Sequence, residues 1–373
     1  ISEEDIAAVV GALQSDWLTT GPAVDGFQTA MAEFVGAEHG VAVSNGTAAL
    51  HLAMLAADVG PGDEVIVTSM TFAASANCVR YVGADVVFAD VRPDTLTIDV
   101  DHVASLITSR TKAIVAVDYA GVPCDLDELM ALGTRHGLTV VEDACHAPGA
   151  TYRERRVGSI AHMSTFSFHP VKHMTTGEGG MITTNDAALA ARLVILRNHG
   201  IATEWRHREE AGTWEYDMVE LGFNYRLPDI LCALGTAQLS HLPEWVTKRR
   251  EIAARYDELF AGTDGIRRPT EPDDRTASWH LYPIRLTGER VAERRAEMFT
   301  HLRANSIGVN VHYRPVHLHP YYADLGYKRG LCPVAEREYD GLLSLPMWPG
   351  LTNDDQDRVV DLIAAGPSGE NSR

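Results

Sequence analysis

Strand and helix signals alternate through the first half of the chain. Short, continuous apolar runs, typical of strands buried on both faces, occupy 40–43, 64–67, 85–89, 113–117 and 138–141. The apolar spacing of helices appears at 24–35, 101–108, 125–136 and 186–197. This alternation predicts an α/β fold with a mainly parallel sheet covered by helices. Ligands of such sheets bind beyond the carboxyl ends of the strands, so the functional residues are expected there.

Five segments that follow predicted strands carry small, polar or aromatic residues. They are Ser44 to Thr47, Thr71 and Phe72, Asp118 and Tyr119, Asp143 to His146, and Ser167 to Lys172. None is close to another in sequence, but the carboxyl ends of parallel strands share one edge of a sheet. We therefore expect the five segments to converge on one site.

Lys172 is unusually placed for a lysine. It follows an apolar, β-branched run and enters a Gly- and Thr-rich turn, instead of lying on a solvated helix face. Burial at this position would lower the pKa of its amine and free the amine to attack a carbonyl. The chemistry indicated is a Schiff base with an aldehyde cofactor. Considered alone, the stretch is equally compatible with a surface lysine at a loop tip.

Pyridoxal phosphate at Lys172 would require a carboxylate beside its pyridine nitrogen, because a protonated ring withdraws electrons from the substrate. Asp143, which follows a predicted strand 29 positions earlier, meets that requirement. The alternative role for a lone acid after a strand is an ordinary cap or a solvated loop residue.

The cofactor's phosphate and ring also have candidate partners. A helix begins directly after the first strand, so the backbone N–H groups of Gly46, Thr47 and Ala48, with the Ser167 hydroxyl, are available to a phosphate. Simple capping of that helix is the alternative. Phe72 is placed to stack on the ring, unless it packs in the core.

Two histidines near these segments have open roles. His146 can reach the hydroxyl of the cofactor ring, whereas His169 can simply pack beneath the lysine loop.

Composition excludes several classes of function. The net charge of −19 argues against a nucleic-acid partner. No run of about 18 uncharged apolar residues exists to span a membrane. Five scattered cysteines without a CxxC pair indicate a reducing cytoplasm and no structural zinc. No metal site is predicted, because His312, His317 and His319 lack accompanying acidic ligands.

The second half of the chain predicts a smaller unit. Helices are expected at 228–239, 243–260, 291–304, 335–340 and 353–364, with strands at 281–286 and 309–313. A charged, Trp-containing insertion at 204–216 is interpreted as a loop. We place a domain boundary near residue 245, giving a large cofactor domain (1–245) and a small C-terminal domain (246–373). Residues 366–373 are expected to form a disordered tail.

Four motifs together resemble one known family. They are Glu142 to His146, Ser167 to Lys172 with Thr176 to Gly180, Gly222 to Arg226, and Val311 to His317. In this order, over about residues 2–363, they are similar to the DegT/StrS family of sugar-nucleotide aminotransferases. The resemblance implies fold type I, the aspartate-aminotransferase-like fold of pyridoxal-phosphate enzymes. It also implies a homodimer with shared active sites.

The resemblance also implies residue roles. Lys172 would be the Schiff-base lysine and proton shuttle, and Asp143 the partner of the pyridine nitrogen. Further cofactor contacts implied are Gly46, Thr47, Ala48 and Ser167 for the phosphate, Phe72 and His146 for the ring, and Asn224 reaching the phosphate from the other subunit. Substrate contacts implied are Thr20, His169, Arg226, His312, Tyr313 and Arg314.

The activity implied is transamination of a nucleotide-linked 4-keto-6-deoxy sugar with L-glutamate as amino donor. His169 before the Pro-Val-Lys sequence resembles enzymes acting at C4, whereas those acting at C3 more typically carry Tyr. His173 departs from the Asn common after the lysine, which makes the substrate harder to name. A C3-ketosugar or cyclitol aminotransferase is the alternative. Lys172 itself argues against the sugar dehydratases of this fold, and the cofactor acid argues against a non-enzymatic regulator.

Overall fold

The computed structural model describes residues 1–202 and 212–367. Most of the predicted tail at 366–373 and much of the predicted loop at 204–216 lie outside the described residues.

A seven-stranded sheet forms the centre of the molecule. Its strands are β1 (His39–Val43), β2 (Glu64–Thr68), β3 (Asp85–Ala89), β4 (Thr111–Val117), β5 (Thr139–Asp143), β8 (Met163–Ser167) and β9 (Gly180–Thr184). Their order across the sheet is β1-β9-β8-β5-β4-β2-β3. Parallel pairing joins neighbouring strands in the order β8, β5, β4, β2 and β3, whereas β9 runs antiparallel to both of its neighbours, β1 and β8. The predicted, mainly parallel sheet is confirmed.

The strands are buried on both faces, as their continuous apolar runs predict. In β2, Val65 and Val67 pack into one hydrophobic cluster, and Ile66 packs into another on the opposite face. Helices supply the covering layers. Those described are α1 (Glu3–Gln14), α2 (Pro22–Val35), α3 (Gly46–Ala56), α4 (Ala74–Tyr81), α5 (Val100–Leu106), α6 (Leu126–His136), α7 (Ala187–Arg197), α8 (Asp229–Leu259), α9 (Val291–Ala304), α10 (Pro320–Asp324), α11 (Pro333–Asp340) and α12 (Asn353–Ala365).

Local sequence explains where several helices begin. The Ser2 hydroxyl accepts the Asp5 N–H, and the Asp5 carboxylate accepts the Ser2 N–H, which together form a capping box at the start of α1. Asn45 caps α3 in the same way, by accepting the Ala48 N–H at 2.8 Å. The predicted transition from strand β1 directly into a helix is therefore present.

A smaller sheet lies in the C-terminal part of the chain. It consists of β10 (Ile266–Arg267), β12 (Tyr282–Leu286) and β13 (Leu342–Leu345), all antiparallel. These strands share a hydrophobic cluster with α9, α12 and the end of α8. A third sheet joins β6 (Thr151–Tyr152), β7 (Arg155–Arg156) and β11 (Arg275–Thr276).

The prediction of two separate helices at 228–239 and 243–260 is wrong. A single 31-residue helix, α8, runs through Pro243. Proline removes one backbone hydrogen bond from a helix interior and normally breaks it. Here Leu239, Leu242 and Val246 are buried in a cluster with α2, and this packing holds the helix together across the proline. Residue 245 lies inside α8, and the division into two domains there remains a prediction.

The predicted strand at 309–313 is also wrong. The segment pairs with β13 only through an isolated bridge between Asn310 and Ser344. Beyond that bridge, the Tyr119 hydroxyl donates to the His312 carbonyl, so the backbone leaves the sheet. Tertiary contacts at the end of β4 thus override the β-propensity of this apolar run.

No helix among the described residues is both long enough and apolar enough to cross a membrane.

Candidate active site

The carboxyl ends of β1, β5 and β8 meet at one edge of the central sheet. Asp143 ends β5, Ser167 ends β8, and Gly46 opens the helix that follows β1. The predicted convergence of these segments is therefore observed, and Lys172 lies in the loop after β8.

The carboxylate of Asp143 is held in a fixed orientation. One oxygen, Oδ2, accepts the Ser75 hydroxyl at 2.7 Å, and the other accepts the Cys145 N–H at 3.2 Å. The side chain is only 5 % exposed. Ser75, in the first turn of α4, was not predicted from sequence, although it lies four positions after Thr71, whose hydroxyl is next to that of Ser75. These two hydroxyl oxygens are 2.8 Å apart.

Lys172 is half-buried beside that acid. Burial lowers the pKa of its amine, and the nearby Asp143 and Cys145 side chains act in the opposite direction. Its backbone N–H donates to the His169 carbonyl at 2.9 Å, which closes the turn that carries it. The alternative of a lysine at an exposed loop tip is excluded. An amine with a lowered pKa is available as a nucleophile at a lower pH than a surface lysine.

The start of α3 is shaped to receive an anion. The Asn45 side chain accepts the Ala48 N–H. The N–H groups of Gly46 and Thr47, which belong to the first turn, have no partner within the helix. A side chain at Gly46 would place its Cβ 2.9 Å from the Ser167 Cβ and 3.4 Å from the Ser167 Oγ. The absence of a side chain at Gly46 thus lets the start of α3 pack directly against Ser167, which brings the Ser167 hydroxyl close to a helix start where a phosphate can bind.

Phe72 is not a core residue. Its side chain is 60 % exposed, and its ring centroid is 6.1 Å from that of Tyr313. The exposure excludes the core alternative and leaves the ring face open for stacking.

Tyr313 and His146 are joined across the site. The Tyr313 hydroxyl lies 3.1 Å from Nε2 of His146, and the two rings are nearly parallel. Burial and the nearby Lys172 hold the pKa of His146 well below its ordinary value, so the imidazole is neutral at physiological pH. Burial likewise lowers the pKa of His312 to about 4. Nδ1 of His312 is 3.0 Å from the Ser344 hydroxyl.

Three other predicted site residues form hydrogen bonds elsewhere in the chain. The Thr20 hydroxyl donates to the Thr19 carbonyl, Arg226 donates to Asn198, and Arg314 donates to the Leu318 carbonyl. Asn224 is exposed. His169 is also exposed, so the alternative in which it packs beneath the lysine loop is wrong.

His173 lies inside the protein. It is buried, and its Nε2 donates to the Ser278 carbonyl at 3.0 Å. Its ring neighbours His280, which in turn packs at 4.4 Å on His146. The replacement of the usual Asn by His173 therefore changes the support of the lysine loop and does not place a new group against the substrate.

These residues fit pyridoxal phosphate. The site contains a lysine amine of lowered pKa for the aldehyde, an oriented carboxylate for the pyridine nitrogen, a helix start without side-chain bulk for the phosphate, and an exposed aromatic face for the ring. Among residues 1–202 and 212–367, no group of three or more His, Cys, Asp or Glu side chains is arranged to hold a metal.

Comparison with known proteins covers nearly the whole chain. The model of the DegT/DnrJ/EryC1/StrS aminotransferase family matches residues 1–364. The chain belongs to this family. The aminotransferase is 42% identical to SpsC, a spore coat polysaccharide biosynthesis protein of Bacillus subtilis, over 97% of the chain and 94% of SpsC.

Two solved structures are similar to this aminotransferase. Spr1654 of Streptococcus pneumoniae, in its PLP form, has a TM-score of 0.90 and 33% identity, covering 97% of this chain and 95% of the other. PseC of Helicobacter pylori, an aminotransferase involved in the biosynthesis of pseudoaminic acid, has a TM-score of 0.90 and 32% identity, with coverages of 98% and 96%. The fold is that of pyridoxal-phosphate-dependent aminotransferases, and pyridoxal phosphate is the cofactor.

Proposed function

We propose that this enzyme transfers the amino group of L-glutamate to C4 of a nucleotide-linked 4-keto-6-deoxy sugar, giving a 4-amino sugar nucleotide and 2-oxoglutarate. The observation that carries the proposal is the placement of the half-buried Lys172 next to the hydrogen-bonded carboxylate of Asp143. This pair of groups suits proton transfer at a carbon next to nitrogen.

Different residues of the chain have separate roles in the proposed reaction. Lys172 Nζ would hold the cofactor aldehyde, and its free amine would move a proton at the α-carbon of the amino donor. Asp143 would hold the pyridine nitrogen in its protonated form, and Ser75 and the Cys145 N–H keep Asp143 in place. Pyridoxal phosphate supplies the aldehyde and the ring that takes up electrons from the substrate.

Neutral side chains border the reacting groups. The neutral imidazole of His146 and the Tyr313 hydroxyl form one hydrogen-bonded unit. Since neither His146 nor His312 is charged near neutral pH, they add no competing positive charge beside Lys172.

The sugar-nucleotide substrate is proposed from likeness. SpsC is named for polysaccharide biosynthesis, and PseC for pseudoaminic acid biosynthesis. His169 before Lys172 favours C4 over C3. Arg226 and Arg314 are candidate partners for the diphosphate in a protein whose net charge is −19.

We propose a homodimer in which Asn224 reaches the phosphate of the partner's cofactor. The exposure of Asn224 and of the preceding Trp214, Tyr216, Met218 and Leu221 supports this proposal, because so many exposed apolar side chains suit an interface.

Replacing Lys172 by Ala tests the chemistry. Wild-type protein loaded with pyridoxal phosphate should lose its lysine-bound absorbance when L-glutamate is added. Lys172→Ala should reduce transamination by at least about 10³-fold, because both nucleophile and proton carrier are lost. Lys328→Ala, which removes an exposed lysine, is the matched control and should keep full activity. Substantial turnover by Lys172→Ala would show that another lysine carries the reaction.

A substrate panel tests the regiochemistry. UDP-, GDP- and dTDP-linked 3-keto and 4-keto sugars should be offered with L-glutamate, and the products analysed by mass spectrometry and NMR. Amination confined to 4-keto sugars supports the proposal. A higher kcat/KM on 3-keto sugars or on cyclitols would replace it with the alternative activity.

A further inference from the structure

Tyr119 belongs to one of the five segments expected at the site, but the chemistry described above gives it no role. It follows strand β4, and its side chain is fully buried, with 0 % exposure. Burial, together with the nearby Tyr313, raises the pKa of the Tyr119 hydroxyl above its ordinary value. The hydroxyl therefore keeps its proton at physiological pH and is available as a hydrogen-bond donor.

The backbone turns sharply directly after Tyr119. Ala120 and Gly121 have positive φ angles of 59° and 97°. A Cβ at Gly121 would lie 2.7 Å from the Trp279 nitrogen and 2.8 Å from the His146 carbonyl oxygen, so the turn packs against the backbone of the site. Residues other than glycine keep this conformation where surrounding contacts enforce it, and such positions cluster at active sites. The position of Tyr119 is therefore set by its neighbours.

The Tyr119 hydroxyl donates to the carbonyl of His312, 193 positions later in the chain. Further along the same segment, the Val316 N–H donates to the Ser69 carbonyl at 2.8 Å. These two bonds attach the segment to the edge of the central sheet on either side of Tyr313. The bond from Tyr119 thus fixes the backbone directly before Tyr313.

Tyr313 neighbours both side chains that are expected at the cofactor ring. Its hydroxyl lies 3.1 Å from Nε2 of His146, and its ring centroid is 6.1 Å from that of Phe72. Burial, with the charge of Asp143, raises the pKa of the Tyr313 hydroxyl, so this group also keeps its proton. A displacement of Tyr313 would therefore change the surroundings of the ring at both His146 and Phe72.

We propose that Tyr119 is a positioning residue of this aminotransferase. By holding the His312 carbonyl, its hydroxyl keeps Tyr313 against His146 and Phe72, and so keeps the cofactor ring aligned with Lys172. Tyr119 acts through Tyr313. The inference rests on the proposed function in one respect, since it takes His146 and Phe72 to lie against the cofactor ring.

Tyr119→Phe tests this role, because it removes the hydroxyl oxygen and keeps the aromatic ring. Circular dichroism of the bound cofactor reports how the pyridoxal phosphate ring is held among its neighbours. In the variant loaded with pyridoxal phosphate, this signal should fall by about half or more at the lysine-bound absorbance band. The single-turnover rate with saturating L-glutamate should fall about tenfold, while the half-saturating concentration stays nearly unchanged. A dichroism signal and a rate equal to those of the wild type would overturn the proposal.

Tyr152→Phe is the matched control. Tyr152 is also 0 % exposed, and its hydroxyl donates to the Glu128 carboxylate at 2.9 Å, away from the site. This variant loses a comparable buried hydrogen bond, and urea unfolding compares its stability with that of Tyr119→Phe. It should keep the wild-type dichroism and rate. An equal loss of the cofactor signal in Tyr152→Phe would attribute the effect to general destabilisation and overturn the proposal.

Tyr313→Ala tests whether Tyr119 acts through Tyr313. Once the Tyr313 side chain is absent, the Tyr119 hydroxyl has no side chain left to position. The double variant Tyr119→Phe/Tyr313→Ala should therefore lose no more cofactor dichroism and no more rate than Tyr313→Ala alone. Losses that multiply in the double variant would show that Tyr119 acts independently of Tyr313, which contradicts the proposal.

The dichroism measurement separates this proposal from the proposed function. It requires neither a sugar nor an amino donor, so an enzyme that aminates no 4-keto sugar would still give the expected difference between Tyr119→Phe and Tyr152→Phe. Unchanged dichroism in both His146→Ala and Phe72→Ala would instead refute their placement at the cofactor ring, and with it the role of Tyr119.

Discussion

Gly46, which has no side chain, determines the shape of the anion site at the start of α3. Only a hydrogen atom fits between the helix backbone and Ser167, since a Cβ would lie 2.9 Å from the Ser167 Cβ. Helix starts bind phosphate through backbone N–H groups, which requires close approach of the ligand. Glycine is therefore required by the close packing of the helix start on Ser167, and a larger residue would push Ser167 away from the anion site.

Gly46→Ala should weaken the binding of pyridoxal phosphate by about tenfold or more, which corresponds to about 1.4 kcal/mol. Titration of the apoenzyme with cofactor, followed by absorbance, measures the change. Gly26→Ala is the matched control, because its Cβ on α2 would meet no atom within 4 Å. The control should retain affinity and gain up to about 1 kcal/mol of stability from the higher helix propensity of alanine. Equal affinities of Gly46→Ala and Gly26→Ala would contradict the steric argument.

Helix α8 illustrates how packing acts on a whole element. Thr247 donates its hydroxyl to the Pro243 carbonyl at 2.9 Å, so part of the hydrogen bonding around the proline comes from a side chain. The buried residues on both sides of Pro243 contact α2 and oppose a break at this point. The proline remains an unfavourable residue within an otherwise stabilised helix.

Pro243→Ala should raise the free energy of unfolding by about 1 kcal/mol or more, because proline in a helix interior costs about 3 kcal/mol relative to alanine. Urea unfolding monitored by circular dichroism measures the difference. Glu244→Ala, one residue further, removes only an exposed ion pair with Lys248 and should change stability by less than about 0.5 kcal/mol. A destabilised Pro243→Ala would show that the helix has adapted its geometry to the proline.

Buried neutral histidines give the whole molecule a dependence on pH. Burial holds the pKa values of His146, His173 and His280 well below the ordinary value. In the unfolded chain each regains a pKa of about 6.5. The unfolded state therefore binds more protons below that pH, and the stability contributed by these residues is lost as the pH falls.

The free energy of unfolding should fall by up to about 4 kcal/mol per pH unit below pH 6, when all three histidines contribute. Urea midpoints measured between pH 5 and 8 test this. His173→Gln removes one titrating group and should reduce the slope by up to about 1.4 kcal/mol per pH unit, while its amide can still reach the Ser278 carbonyl. Identical slopes in the variant and the wild type would show that His173 is already protonated in the folded protein.

The proposed homodimer predicts complementation between two inactive variants. Lys172→Ala lacks the amine, and Asn224→Ala lacks the phosphate contact that we assign to the partner subunit. A hybrid dimer contains one intact site when the two residues of a site come from different subunits. After subunit exchange in an equal mixture, about half of the dimers are hybrids, and each hybrid has one intact site out of two. The mixture should therefore recover about one quarter of wild-type activity. No recovery in mixtures that do form hybrids would place Asn224 in the same subunit's site.

Much of the fold and part of the site follow from local sequence. Continuous apolar runs identify strands buried on both faces, and the parallel sheet then implies where Asp143, Ser167 and Lys172 must lie. The motifs around them were sufficient to indicate the family and the cofactor. Such patterns are local consequences of burial and backbone geometry, and they can be read within one stretch of chain.

Only the tertiary structure decided how these groups are supported. Ser75 holds Asp143 from 68 positions away, and His173 reaches Ser278 across 105 positions. The same holds for the exposure of Phe72 and the continuity of α8 through Pro243. Each depends on contacts between distant segments, whose packing energy outweighs the local preference that the sequence reveals.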